Sequence, residues 1–205
     1  FGSMMVGMAL LGSSAPPLAA QCAFAFGSLS ACCGVVAQSV FAWRVYHPDS
    51  RVLLAGIAAI GLALAISLGL RGLQSGSVPR ALPDTSTLAQ SALQVGCLLW
   101  ASCEALRYWR LMKKRERIGM ADPVVGNRFL LWGIAAGAAG VGSGVGTLAS
   151  LALAVPSLQI PWVVFSSSLH GLTAAVAMSL AFMPPAGYLR WVRSQGTARS
   201  AVSAL

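Results

Sequence analysis

Apolar residues run along this chain in five long stretches, none alternating as a strand would and each close to the roughly 20 residues a helix needs to cross a bilayer. The first is predicted from about Pro17 to Trp43 and the second from about Val52 to Leu70. The link Tyr46-His47-Pro48-Asp49-Ser50 between them is so short that the two helices must lie side by side and antiparallel. The third stretch starts after Pro83-Asp84-Thr85-Ser86, where side-chain oxygens accept from first-turn amides that lack a helical partner, and runs to about Trp109. The fourth begins at Asp122-Pro123, a capping Asp ahead of a Pro whose missing amide hydrogen costs nothing at the first helical position, and continues to about Ala154. The fifth opens at Pro161 and closes at Pro184-Pro185, because the second ring disfavours helix at the residue before it and blocks continuation. This pattern predicts an all-α integral membrane protein, a bundle of five transmembrane helices.

Charge orients the bundle. Of the 14 Lys and Arg residues, all but Arg71 and Arg80 fall in alternate gaps: Arg44 and Arg51, then Arg107 through Arg128, then Arg190, Arg193 and Arg199. Basic loops stay on the cytoplasmic side, so the N-terminus is expected outside and the C-terminus in the cytoplasm. No charged side chain precedes Arg44. Phe1-Gly2-Ser3 ahead of Met4 reads as a tag scar, and Met4 to Leu11 is too short, and lacks the basic start, for a signal peptide. The expected organisation is a tag scar and extracytoplasmic lead-in over 1–16, a transmembrane domain over 17–191 and a cytoplasmic tail over 192–205.

With 57% hydrophobic and 9% charged residues, a soluble domain is excluded. The net charge of +9 does not point to nucleic acid, since the basic residues flank span ends, where attraction to anionic lipid headgroups accounts for them. Anionic lipid at the basic cytoplasmic loop is therefore one expected partner, and another membrane protein or a second copy of the chain is the other. The absence of an inverted repeat speaks against a self-contained transporter. The five cysteines, Cys22, Cys32, Cys33, Cys97 and Cys103, form no CxxC and read as small packing residues. Trp43, Tyr46, Trp100, Trp109, Trp132, Trp162, Tyr188 and Trp191 mostly lie near span ends and read as interfacial anchors. An aromatic cage would use the same residue types, but nothing in the sequence brings three of them together.

Candidate chemistry is sparse. The fourth span places Gly133, Gly137, Gly140, Gly142, Gly144 and Gly146 where close helix contact is expected, either with the second span through Gly56, Gly61 and Gly69 or with another subunit. The third span carries Gln90, Gln94, Cys97, Ala101, Glu104 and Tyr108 at steps of three and four, one polar face that lipid would reject. Such a face either bonds neighbouring helices or lines a cavity. Glu104, the acidic residue inside a span, is expected to pair with Arg107 or Arg44. His170 sits near the middle of the fifth span with Ser166 and Thr173 on its face, and His47, in the interfacial link, reads as an ordinary exposed residue. A pocket with His170 and Gln94 opposed, Ser166 and Thr173 in support and Glu104 toward the cytoplasm is the expected ligand site.

Several activities are disfavoured. Lys113 and Lys114 lie in the basic loop, so no lysine within a span can form a retinal Schiff base, and a single intramembrane His cannot supply bis-histidine haem ligation. No cofactor is expected. Gly142-Ser143-Gly144 puts Ser143 at a depth similar to His170, an arrangement that looks like that of the rhomboid proteases, but Val141 stands where that motif has Gly and the six-helix core is incomplete.

The segments Ala121-Asp122-Pro123-Val124-Val125-Gly126-Asn127-Arg128-Phe129-Leu130-Leu131-Trp132 and Leu180-Ala181-Phe182-Met183-Pro184-Pro185-Ala186-Gly187-Tyr188-Leu189-Arg190-Trp191 resemble membrane modules of bacterial multi-pass proteins, some of them similar to the sensory halves of membrane kinases. The resemblance implies a bacterial inner-membrane setting and a sensory role. The expectation is a non-enzymatic sensory or small-ligand-binding module acting through a separate partner, with a packing subunit of a larger complex or a small oligomeric carrier as the alternatives.

Overall fold

The computed structural model describes residues 17–75, 85–155 and 157–202. Residues 1–16, expected to form a tag scar and lead-in, and the capping signal at Pro83-Asp84 lie outside the described residues. Among these the chain is helical without strands: α1 (Pro17–Tyr46), α2 (Arg51–Ser75), α3 (Thr85–Arg117), α4 (Pro123–Leu153), a 3-10 turn (Ser157–Gln159), α5 (Pro161–Phe182) and α6 (Ala186–Val202). Four helices are long and apolar enough to cross a membrane: α1 over Ala25–Tyr46, α2 over Arg51–Leu70, α4 and α5. The 33-residue α3 is not among them, because Gln90, Gln94, Ser102 and Glu104 interrupt its apolar run.

Local chemistry sets most boundaries. The Asp122 carboxylate accepts from the Val124 amide at 2.8 Å, with Pro123 in the first turn as the sequence predicts. Helix α4 stops where Ala154 turns left-handed at φ 51°. Helix α5 starts at Pro161 and ends ahead of Pro184-Pro185, its last turn closed by the Met183 amide donating to the Ser179 carbonyl at 2.8 Å. Helices α1, α2 and α3 exceed their predicted limits, and one further helix follows the double proline. Helix α3 runs on past Trp109 through strong helix formers, with Lys113 and Glu116 paired at 2.6 Å, until Gly119 takes φ 71°. Beyond the double proline the chain folds again as α6, with Val192 buried, so residues 192–202 continue a helix that starts inside the expected transmembrane domain.

Helix α4 is the centre of the bundle, and its small residues explain why. A Cβ built at Gly126, Gly133, Gly137, Gly140 or Gly144 would meet Met112, Leu106, Ser102, Leu99 or Val95 of α3, a descending series that defines an antiparallel pair in close contact. At Gly142 and Gly146 the same test meets His170 and Val163 of α5. One helix thus carries two stripes of small residues and holds α3 and α5 on different sides. The expected partner, α2, makes no contact with α4: nothing lies near Gly56 or Gly69, and Gly61 faces Val36 of α1. Leu131, Ala135, Ala177 and Ala181 fill the α4–α5 seam further along.

Helix α1 runs parallel to α3, with Cys32 beside Gln90 and Gln94, Ala42 beside Ala101 and Ala105, and Tyr46 beside Tyr108. The α1–α2 hairpin is closed by the Trp43 indole donating to the Ser50 carbonyl at 2.9 Å. Its attachment to α3 is much less extensive than the α3–α4 and α4–α5 contacts. Ring contacts among Tyr46, Tyr108, Phe129, Trp132 and Phe182 show that α1, α3 and α5 end, and α4 begins, at one end of the bundle. Arg44, Arg107 to Arg117 and Arg128 therefore gather at that end.

Candidate functional site

The polar face of α3 is used in contacts between helices. Gln90 and Gln94 donate from Nε2 to the Cys32 Sγ at 3.3 and 3.4 Å, closing the α1–α3 seam. Ser102, from a neighbouring face, donates to the Gly133 carbonyl of α4 at 2.7 Å. The Tyr108 hydroxyl donates to the Tyr46 carbonyl at 3.0 Å, satisfying an acceptor that the end of α1 leaves unpaired. Gln94 thus faces α1, and Cys32 serves as a hydrogen-bond acceptor as well as a packing residue.

Glu104 has a basic partner, as expected. Its Oε2 lies 3.9 Å from Arg107, one turn along α3, and its Oε1 lies 3.3 Å from His47 Nε2 in the α1–α2 link. The contact with His47 is ionic only when the imidazole is protonated. Glu104 is 14% exposed, and its Oε2 is buried without a hydrogen-bond partner, because Arg107 is within ion-pair reach but too far for a hydrogen bond. Arg44, the other expected partner, is exposed and takes no part in this cluster. His47 is the difference from expectation: it ties the hairpin link to α3. The sequence places the ends of α1 and α3 on the same side, and so His47 near the level of Glu104, but not the packing that brings the two into contact.

His170 points at the bundle, with its Cβ against Gly142. Its Nδ1 lies 2.7 Å from the Ser166 carbonyl and 3.4 Å from the Ser166 Oγ, so its ring is held within α5. Thr173 donates to the Leu169 carbonyl at 2.8 Å and is exposed. The structure brings His170 and Ser166 together, but it does not oppose His170 to Gln94: α3 and α5 make no contact, and α4 stands between them. Nor does any hydrogen bond join Ser143 to His170 among the described residues; the Ser143 carbonyl accepts from Thr147 at 3.1 Å.

Hollows among the described residues lie elsewhere. A groove of about 260 Å³, half open to the surroundings, runs between α1, α4 and α5. Gly34, Ala37, Gln38 and Phe41 form its α1 wall, and Trp132, Met178 and Phe182 the opposite one. Phe41 meets Trp132 edge-on at 4.8 Å between centroids, and Trp132 meets Phe182 at 5.8 Å. Trp132, which reads from sequence as an anchor, meets Phe41 and Phe182 here because the ends of their helices share one level. A shallower apolar hollow on the α4–α5 surface is lined by Leu131, Leu172, Thr173 and Val176.

No protein-family model matches the chain, and no curated protein or solved structure shows significant similarity to it.

Proposed function

We propose that this chain is a non-enzymatic sensory membrane module of the bacterial inner membrane that takes a small ligand from the bilayer into the α1–α4–α5 groove and acts through a separate partner. The observation that carries this reading is the position of the groove: one wall belongs to the sparsely attached α1–α2 hairpin, the other to the closely packed α3–α4–α5 core. An occupant touching both walls favours one hairpin position over others, and a ligand shifts an equilibrium only through such differential contact. The half-open, mainly apolar groove suits a molecule dissolved in the membrane. The setting follows the resemblance at Ala121–Trp132 and Leu180–Trp191.

Five crossings, with the N-terminus outside and the C-terminus in the cytoplasm, are part of the proposal. Helix α3 lies along α4 from Val95 beside Gly144 to Met112 beside Gly126, which supports α3 as a further span whose polar side chains are satisfied internally. The basic end would then face the cytoplasm. A second reading, a packing subunit of a larger complex, is favoured by α2, where Val52, Leu54, Leu62, Ile66 and Leu70 are exposed and only one side meets the bundle.

Native mass spectrometry of the protein isolated in mild detergent tests the first reading against the second. We expect a retained small molecule that is lost in Ala37→Trp, a variant that fills the groove, without loss of helical content. Bare wild-type protein carrying a stoichiometric second membrane chain would contradict ligand binding and support the packing subunit.

A further inference from the structure

Nothing in the proposed function selects the ligand's charge, but the end of the groove does. Arg44 follows Phe41 by three residues on α1, and Arg128 precedes Trp132 by four on α4, so each shares a helical face with a groove-lining ring and lies one turn nearer the same end. Both are exposed, and neither has an ion pair among the described residues. Of the carboxylates at this end, Glu104 is engaged by His47 and Arg107 on the α1–α3 side and Glu116 by Lys113, and among the described residues neither Asp49 nor Asp122 forms an ion pair with Arg44 or Arg128. The hollow lined by Gly34, Ala37, Phe41 and Met178 therefore has two guanidinium groups, free of ion pairs among the described residues, one helical turn beyond its lining rings. At about 260 Å³ it falls below the roughly 300–1,000 Å³ of sites that enclose a drug-sized molecule, so it suits a chain laid along it. A quaternary ammonium, which three clustered rings would otherwise attract, would meet like charge at this end.

Resting on the groove as the ligand site, we propose that the occupant is an anionic phospholipid, its phosphate held between Arg44 and Arg128 and one acyl chain lying in the groove. Guanidinium groups pair with phosphate through parallel hydrogen bonds, and basic pockets between membrane helices at the cytoplasmic face are suited to anionic headgroups. The exposed positions of Arg44 and Arg128 let them turn to the phosphate without breaking an existing pair.

Trp132 reports on the groove directly. The full chain would be reconstituted in phosphatidylcholine vesicles containing phosphatidylglycerol, with the acyl chains of one lipid or the other brominated. The Trp132 signal is the difference between wild type and Trp132→Phe. Phosphatidylglycerol should quench it with a relative affinity about tenfold above phosphatidylcholine, and Arg44→Gln/Arg128→Gln should remove that preference while leaving the melting temperature unchanged. Equal quenching by both lipids, or a preference that survives the double substitution, would overturn the anionic-lipid assignment and leave a bilayer-facing groove intact. No quenching by either lipid would show the groove closed, by a partner helix or a second copy, and would remove this assignment together with the bilayer-ligand reading beneath it.

Discussion

Gly142 and His170 show how one hydrogen in place of a side chain positions two helices. A Cβ at Gly142 would sit 2.9 Å from the His170 Cβ, an atom fixed to the α5 backbone that cannot rotate aside. At Gly133 the obstacles, at 2.8 Å, are Cγ and Cδ2 of Leu106, which a change of rotamer can move. At Gly56 there is no obstacle. Gly142→Ala should therefore cost about 1–3 kcal/mol as an overpacked contact, Gly133→Ala less, and Gly56→Ala should be neutral or stabilising by up to about 1 kcal/mol. Unfolding in detergent monitored by circular dichroism checks the order. Equal stability for all three variants would mean that the α4–α5 contact does not hold the bundle together. That α4 needs close neighbours was legible in the spacing of its glycines; which neighbours was not, because a small-residue stripe specifies an approach distance and carries no record of its partner.

At the level of elements the bundle divides unevenly. Apolar and small-residue packing joins α3, α4 and α5, while α1 and α2 are attached through a smaller seam with bonds from Gln90, Gln94, Tyr108 and Glu104. Regions with fewer buried contacts open at lower free energy, so amides of α2 should exchange with deuterium well before those of α4 in the same micelle. Tyr108→Phe removes the hydroxyl that closes the end of α1, which should cost about 1 kcal/mol and speed exchange in α1 and α2 while leaving α4 unchanged. Uniform acceleration across all helices would contradict a separable hairpin. Helix limits set by neighbouring residues, such as Asp122-Pro123 and Pro184-Pro185, were readable because proline and capping act within a turn. The His47–Glu104 contact and the Phe41–Trp132–Phe182 convergence were not, since each joins distant segments through packing that periodicity leaves undetermined. The expected His170–Gln94 pocket failed for a related reason: two polar faces can both avoid lipid by meeting different neighbours, here Gly142 and Cys32.

For the whole molecule, the basic residues and the helix directions support one orientation. Arg44, Arg107 to Arg117 and Arg128 share an end, while the turn Ser157–Gln159 between α4 and α5 lies at the other. If the bundle spans the bilayer with its basic end in the cytoplasm, the rest of the account follows: α3 crosses within the protein, α2 and α5 present apolar faces to lipid, and the groove ends at the inner headgroups. The direct measurement is labelling of intact cells with a membrane-impermeant maleimide after the five native cysteines are replaced and one is introduced at Gln159 or Lys114, both exposed. Gln159→Cys should react from outside, and Lys114→Cys only after the cells are permeabilised. Reaction of both positions from one side, or of Lys114→Cys alone from outside, would contradict the orientation and the membrane module built on it.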